Sequence, residues 1–168
     1  GLVTDLTTFI AGLPKAELHV HHVGSAPMAT VATLAERHAG STSVPTDPVE
    51  LAKFFTFTDF AHFIEIYLAT VDLLRTPEDL WTLTYDVAKG LADQQVRYVE
   101  LTCTPYTSIQ VGITAEEYVE ALEDARRRAE ADFNLQMRWI FDIPGESGVP
   151  SADVTLDTAL RLQPDGLV

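Results

Sequence analysis

The segment LPKAELHVHHVGS at residues 13–25 constrains this chain most, because it ends an apolar strand with two histidines two residues apart. Successive side chains of a strand point to opposite faces, so His19 and His21 are expected on one face with Cα atoms about 6.5 Å apart. A single metal ion can accept a ring nitrogen from each. Glu17 is expected on the same face, and Leu18 in a packed layer on the other. The pattern therefore predicts half of a metal site.

The complete segment resembles the first strand of the adenosine deaminase family, whose usual form is L-P-K-x-E-L-H-x-H-[LF]-[DE]-G-[SA]. This resemblance implies that His19 and His21 bind a catalytic Zn²⁺. Iron, cobalt and manganese also suit histidine-rich sites, so other divalent metals stay open. His22 stands where the family usually has an apolar residue. We expect His22 to line the substrate pocket, or to contact a metal-binding residue without binding the metal itself.

Val23 departs from the family pattern, which places there an acidic residue that bonds the ribose 5′-hydroxyl. Valine accepts no hydrogen bond, and an unpaired hydroxyl costs about 1–3 kcal/mol. The departure favours a 6-aminopurine nucleoside with an apolar 5′ group, such as aminodeoxyfutalosine on the route to menaquinone. Residues 56–63 and 141–146 resemble the bacterial branch of the family that acts on this substrate. The alternative is that Val23 is a neutral substitution and the substrate is adenosine.

The resemblance also implies a substrate wall beside the metal. Gly24 belongs to it by its place in the motif. The family covers its nucleoside with an apolar helix, on which Phe60 and Ile64 would lie one turn apart, although such a stripe is equally typical of a core. Thr102 and Thr104 stand where the family usually has R-[YF]-[SA]-P, and the missing arginine leaves that part of the wall open.

Alternating strands and helices predict a parallel α/β architecture. We predict strands at 16–21, 96–102 and 137–143, and helices at 5–11, 27–39, 58–74, 77–95, 114–132 and 151–162. Residues 166–168 look like the start of a fourth strand. The family fold is an eight-stranded (β/α) TIM-type barrel that typically needs about 250 residues. We therefore expect residues 1–168 to form a single domain that is the N-terminal half of such a barrel, with the C-terminal half absent.

The general acid and base cannot be assigned to this chain, because the resemblance places them, with the remaining metal ligands, beyond Val168. Glu100 is expected to be a polar residue inside the barrel, His38 and His62 to be surface residues, and Cys103 to be a small buried residue. With the missing half supplied, the expected reaction is hydrolytic deamination at purine C6 by a water that the metal activates. Two alternatives remain: a different H-x-H amidohydrolase, or a catalytically incomplete fragment.

Composition narrows the possible binding partners and the cellular compartment of the protein. The net charge of −14 argues against nucleic acids and anionic membranes, and leaves a small-molecule nucleoside as the expected partner. One cysteine excludes an internal disulfide, and no apolar run approaches the roughly 20 residues of a bilayer span. No secretion signal is recognisable, so we expect a cytoplasmic protein. Open sheet edges in a half barrel would recruit a partner, which favours a homo-oligomer if the chain is made alone.

Overall fold

Three parallel strands form one sheet in the order β1, β2, β3, in a computed structural model that describes residues 2–144 and 148–168. The strands are β1 (Lys15–His21), β2 (Val96–Cys103) and β3 (Gln136–Phe141). The helices are α1 (Leu2–Ala11), α2 (Met28–Arg37), α3 (Pro48–Phe54), α4 (Phe60–Val71), α5 (Pro77–Asp93), α6 (Pro105–Gln110), α7 (Ala115–Asp132) and α8 (Gly148–Leu162), with a 3₁₀ turn at Val23–Ser25. The predicted α/β class is confirmed. Gly145 and Glu146, two residues of a segment compared with the bacterial branch, lie outside the described residues.

Helix starts follow the capping signals of the sequence. The hydroxyls of Thr76 and Thr114 each accept the backbone N–H three residues on, and the acidic side chain of that residue accepts the backbone N–H of the threonine, so α5 and α7 both begin with a capping box. The short helix α6 was not predicted; it begins at Pro105, and proline suits the first turn of a helix. Helix α8 begins at Gly148, three residues before the predicted start at 151, and the Ser151 hydroxyl donates to the Gly148 carbonyl over 2.8 Å.

The core lies between the sheet and helices α5 and α7. Alternate side chains of β2 and β3 are fully buried against these helices, among them Val99, Leu101, Met137 and Trp139. Burying a side chain of this size contributes about 1.5–3 kcal/mol. This packing holds the carboxyl ends of the strands at one edge, where the loops that follow them meet.

Strand β1 carries a bulge that its alternating sequence pattern does not predict. The pairing sets Glu17 opposite Val99 and His21 opposite Thr102, with an irregularity between Glu17 and Val20. One extra residue in β1 reverses the alternation, so Glu17 shares the face of buried Val99 rather than that of His21. The expected packing of Leu18 is also wrong: it is exposed, because β1 is the outer strand of the described sheet.

A fourth strand begins beside β3, as predicted. Leu167 forms a parallel bridge with Trp139, whose backbone N–H donates to the Gly166 carbonyl over 2.8 Å. In the described part of the chain, no helix combines the length and the apolar character required to cross a bilayer.

Candidate active site at the carboxyl ends of the strands

A cavity of about 760 Å³ opens at the carboxyl ends of the three strands. His21 contributes to it from β1, Thr102 from β2 and Asp142 from the residue after β3. In a parallel α/β barrel this edge is where substrates bind. The remaining lining comes mainly from α4 and α6 and their flanking loops: Tyr67, Leu68, Val71, Asp72, Thr104, Thr107, Ser108 and Val111.

The rings of His19 and His21 lie beside each other, with centroids 4.9 Å apart and planes at 81°. Both side chains are exposed, and His21 lines the cavity. Two neighbouring imidazoles match the nitrogen donors that Zn²⁺ accepts. Across residues 2–144 and 148–168, no cluster of three or more histidine, cysteine or acidic side chains could hold a metal. A four-coordinate site built on this pair would therefore need ligands from outside these residues, and the ligand role stays a prediction.

His22 points away from its neighbour and is buried against α5. Its Nε2 atom lies 2.7 Å from the Thr84 hydroxyl oxygen, and its ring forms part of the cavity wall. Burial lowers the pKa of His22 from 6.5 to about 4, because the charged ring would lose its hydration. His22 is therefore an uncharged polar group in the wall at neutral pH.

Val23 lines the cavity directly after His22 and packs partly against the core. It begins the 3₁₀ turn, in which the Ala26 N–H donates to the Val23 carbonyl over 3.1 Å. Gly24 follows it and is exposed, outside the cavity lining. A side-chain carbon at Gly24 would meet only the Cβ atom of His21, at 3.5 Å, so close packing is not what calls for a glycine here.

The helix predicted to cover the substrate presents a different part of its surface to the cavity. Phe60 and Ile64 are 75% and 36% exposed and stand outside the lining. Tyr67 and Leu68, one turn further along the same stripe of α4, do line it. Tyr67 was not among the predicted site residues, although its spacing of three residues from Ile64 places it on that stripe.

Two threonines expected in the wall do lie there. Thr102 and Thr104 flank Cys103 at the end of β2, and both line the cavity. Cys103 points to the opposite face and is 1% exposed, as predicted for a small buried residue. Burial raises the pKa of its thiol well above the ordinary range, and a thiol held protonated is a poor metal ligand.

Tyr67 and Asp142 form a polar side of the cavity, on which Asp142 carries the negative charge. Burial raises the pKa of the Tyr67 phenol, and the nearby charge of Asp142 raises it further. The phenol is thus held in its protonated form and can donate a hydrogen bond. Asp142 itself is exposed, and its Oδ1 atom accepts the Ile143 N–H over 2.9 Å.

The predictions for Glu100 and His38 have opposite outcomes. Glu100 is half-buried on the inner side of β2, where it accepts the Tyr98 hydroxyl over 2.9 Å, as expected of a polar residue inside a barrel. His38 was expected at the surface, which is wrong. Its Nε2 atom lies 2.8 Å from Oδ2 of buried Asp79, because the end of α2 packs on the start of α5.

The comparisons with known proteins agree with this geometry. The family model described as adenosine deaminase matches residues 14–168. Aminodeoxyfutalosine deaminases of Streptomyces avermitilis and Streptomyces coelicolor are each 61% identical over 98% of this chain, which covers 46% and 43% of their lengths. An amidohydrolase from Burkholderia ambifaria, solved with bound zinc, superposes with a TM-score of 0.82 and 26% identity over 96% of this chain and 44% of its own.

This chain belongs to the adenosine deaminase family. It spans about half the length of the curated relatives it matches. Its fold is that of one part of an amidohydrolase barrel, and its family is one of hydrolytic deaminases.

Proposed function

We propose that the full-length protein containing this chain deaminates a 6-aminopurine nucleoside that carries an apolar 5′ substituent, with aminodeoxyfutalosine as the preferred substrate. The observation that carries the proposal is Val23 in the cavity wall, where the family pattern has an acid. The 61% identity to two aminodeoxyfutalosine deaminases over nearly the whole chain supports the same substrate.

His19 and His21 are proposed to hold the metal. Their adjacent rings fit two positions of a zinc site, and the related amidohydrolase was solved with zinc bound. When bound, the metal would supply Lewis acidity, which lowers the pKa of a water bound to it towards neutrality. The two histidines do not supply the general acid or base, and we place those groups outside this chain.

The cavity wall is proposed to bind the nucleoside. Thr102 and Thr104 offer hydroxyls at the end of β2, and Tyr67 offers a protonated phenol on α4. The side chain at position 23 offers only hydrocarbon, which suits an apolar 5′ group and leaves a 5′-hydroxyl unpaired.

The deciding experiment is a competition assay with purified full-length protein. Aminodeoxyfutalosine, methylthioadenosine, 5′-deoxyadenosine and adenosine are supplied in pairs, and each 6-oxo product is quantified by chromatography. We expect kcat/KM for the 5′-substituted nucleosides to exceed that for adenosine by about tenfold or more. A higher kcat/KM for adenosine would show that Val23 does not select the substrate, and absence of any deamination would refute the proposed reaction.

The cellular setting follows from the substrate. Deamination of aminodeoxyfutalosine places the enzyme on the route to menaquinone, in the cytoplasm where nucleoside substrates are found. If these residues are made alone, the exposed outer strand β1 would favour a homo-oligomer.

A further inference from the structure

One ring nitrogen of His22, Nε2, forms a hydrogen bond with Thr84 inside the protein. The Thr84 hydroxyl donates its proton to the Leu80 carbonyl over 2.7 Å. A hydroxyl has only one proton to donate, so towards the ring 2.7 Å away the Thr84 oxygen can only accept. The hydrogen of that bond must therefore be on Nε2 of His22.

The other ring nitrogen, Nδ1, has no hydrogen-bond partner among the described residues. His22 is 3% exposed and lines the cavity wall. Within residues 2–144 and 148–168, every fully buried side-chain nitrogen or oxygen has a hydrogen-bond partner, and the His22 ring has a partner at Nε2 only. Nδ1 therefore keeps some exposed surface, on a residue that lines the cavity. In the uncharged ring with hydrogen on Nε2, Nδ1 carries a lone pair and accepts a hydrogen bond.

The position of His22 indicates which part of a nucleoside it meets. His21 and His22 are consecutive and point to different sides, His21 towards the proposed metal and His22 towards α5. A 6-aminopurine nucleoside carries its hydrogen-bond donors on the 6-amino group and the sugar hydroxyls. The reacting amino group would lie near the metal, so the sugar hydroxyls are the donors left for His22. Sugar hydroxyls are neutral donors that suit an uncharged acceptor.

We propose that His22 is a specificity-determining residue whose Nδ1 accepts a hydrogen bond from a sugar hydroxyl of the substrate, with Thr84 as the positioning residue that fixes its tautomer. This inference rests on the proposed function and deepens it. His22 then supplies an acceptor beside Val23, which has none. It does so without the charge that an acid would bring next to the 5′ substituent.

The test pairs the protein variant with the matching deletion in the substrate. Full-length wild type and the His22→Leu variant are assayed on 5′-deoxyadenosine, 2′,5′-dideoxyadenosine and 3′,5′-dideoxyadenosine. In the wild type, loss of the bonded hydroxyl should lower kcat/KM about tenfold. In the His22→Leu variant, kcat/KM for 5′-deoxyadenosine should be lower than in the wild type by a similar factor. Removing the same sugar hydroxyl from the substrate should then cause no further decrease in this variant.

The two ideas fail in different ways. If 5′-deoxyadenosine is deaminated and each deletion costs the same in both proteins, the role of His22 is overturned and the proposed function stands. If no 5′-substituted nucleoside is deaminated, the proposed function fails and this inference with it.

Thr84 gives a second readout that does not depend on folding of the His22 variant. Thr84→Val removes the oxygen that accepts from Nε2, whereas Thr84→Ser keeps it. Ring ¹⁵N spectra of the full-length enzyme should show hydrogen on Nε2 in the wild type and in Thr84→Ser, and a mixture with hydrogen on Nδ1 in Thr84→Val. KM for 5′-deoxyadenosine should rise in Thr84→Val with kcat retained. Identical spectra and KM values in all three proteins would overturn the positioning role.

Discussion

The Trp139 indole donates its N–H to Oε1 of Glu123 over 2.7 Å, inside the packing between β3 and α7. The same carboxylate oxygen accepts the Gly166 N–H over 2.9 Å, and the other oxygen accepts two N–H groups of buried Arg126. Both the ion pair and the start of the fourth strand are therefore built around one carboxylate. A buried pair of this kind is costly to disturb, since neither charge can return to water.

We predict that Gly166→Ala destabilises the full-length protein by about 1–3 kcal/mol. An added Cβ would lie 2.7 Å from Arg126 Nε and 2.8 Å from Trp139 Nε1, and both atoms are held by hydrogen bonds to Glu123. The matched control is Gly90→Ala in α5, where the new carbon meets only Pro27 at 3.9 Å. That change should be neutral or stabilise by about 0.5–1 kcal/mol, because alanine favours the helix. Urea unfolding followed by far-UV circular dichroism measures both, and equal midpoints would contradict the account.

Asp79 should make the stability of the contact between α2 and α5 depend on pH in the acidic range. Burial works to raise the pKa of Asp79, but hydrogen bonds outweigh it and hold that pKa below its ordinary value of 3.8. The donors, in order of importance, are His38, the Arg75 backbone, Arg37 and Thr76. A carboxyl with a lowered folded pKa stabilises the protein above its unfolded pKa, and this stabilisation is lost as the pH falls through the folded value.

We therefore expect Asp79→Asn to lower the free energy of unfolding by about 1–3 kcal/mol at pH 7. The difference in free energy of unfolding between wild type and variant should stay constant down to about pH 4 and become smaller below it. The control is Asp157→Asn, which removes an exposed carboxylate paired with Arg161 and should cost less than about 1 kcal/mol. Urea midpoints recorded from pH 7 to pH 3 give the comparison, and a gap that widens in acid would reverse the assigned sign.

Replacing either histidine of the first strand should remove the metal. His19→Ala or His21→Ala in the full-length enzyme is expected to abolish deamination and to lower bound zinc well below one ion per chain. Both side chains are exposed, so the change itself leaves no cavity in the core. His62→Ala on α4, outside the cavity lining, serves as the control and should keep both metal and activity. Metal content by inductively coupled plasma spectrometry and ammonia release are the readouts. Stoichiometric zinc with full activity in either variant would exclude its role as a ligand.

Local signals were enough to predict much of the fold, whereas features that depend on distant pairing were not. The capping boxes at Thr76 and Thr114 lie within single helix turns, and the sequence shows them directly. The bulge in β1 arises from its register with β2, which no pattern within β1 records. The contact between His22 and Thr84 joins residues 62 apart, so the sequence offers His22 as a departure from the family but not its partner.

The last prediction concerns Val23, the residue on which the proposed substrate depends. Val23→Asp places a carboxylate in the cavity wall, where it can accept a 5′-hydroxyl, and should raise kcat/KM for adenosine relative to 5′-deoxyadenosine by about tenfold or more. Val23→Leu changes size without adding an acceptor and should leave that ratio near the wild-type value. Because Val23 packs partly against the core, the acid will also cost stability. The ratio of the two substrates, measured within one preparation, is independent of the amount of folded enzyme. An unchanged ratio in Val23→Asp would mean that the 5′ end of the nucleoside binds elsewhere in the cavity.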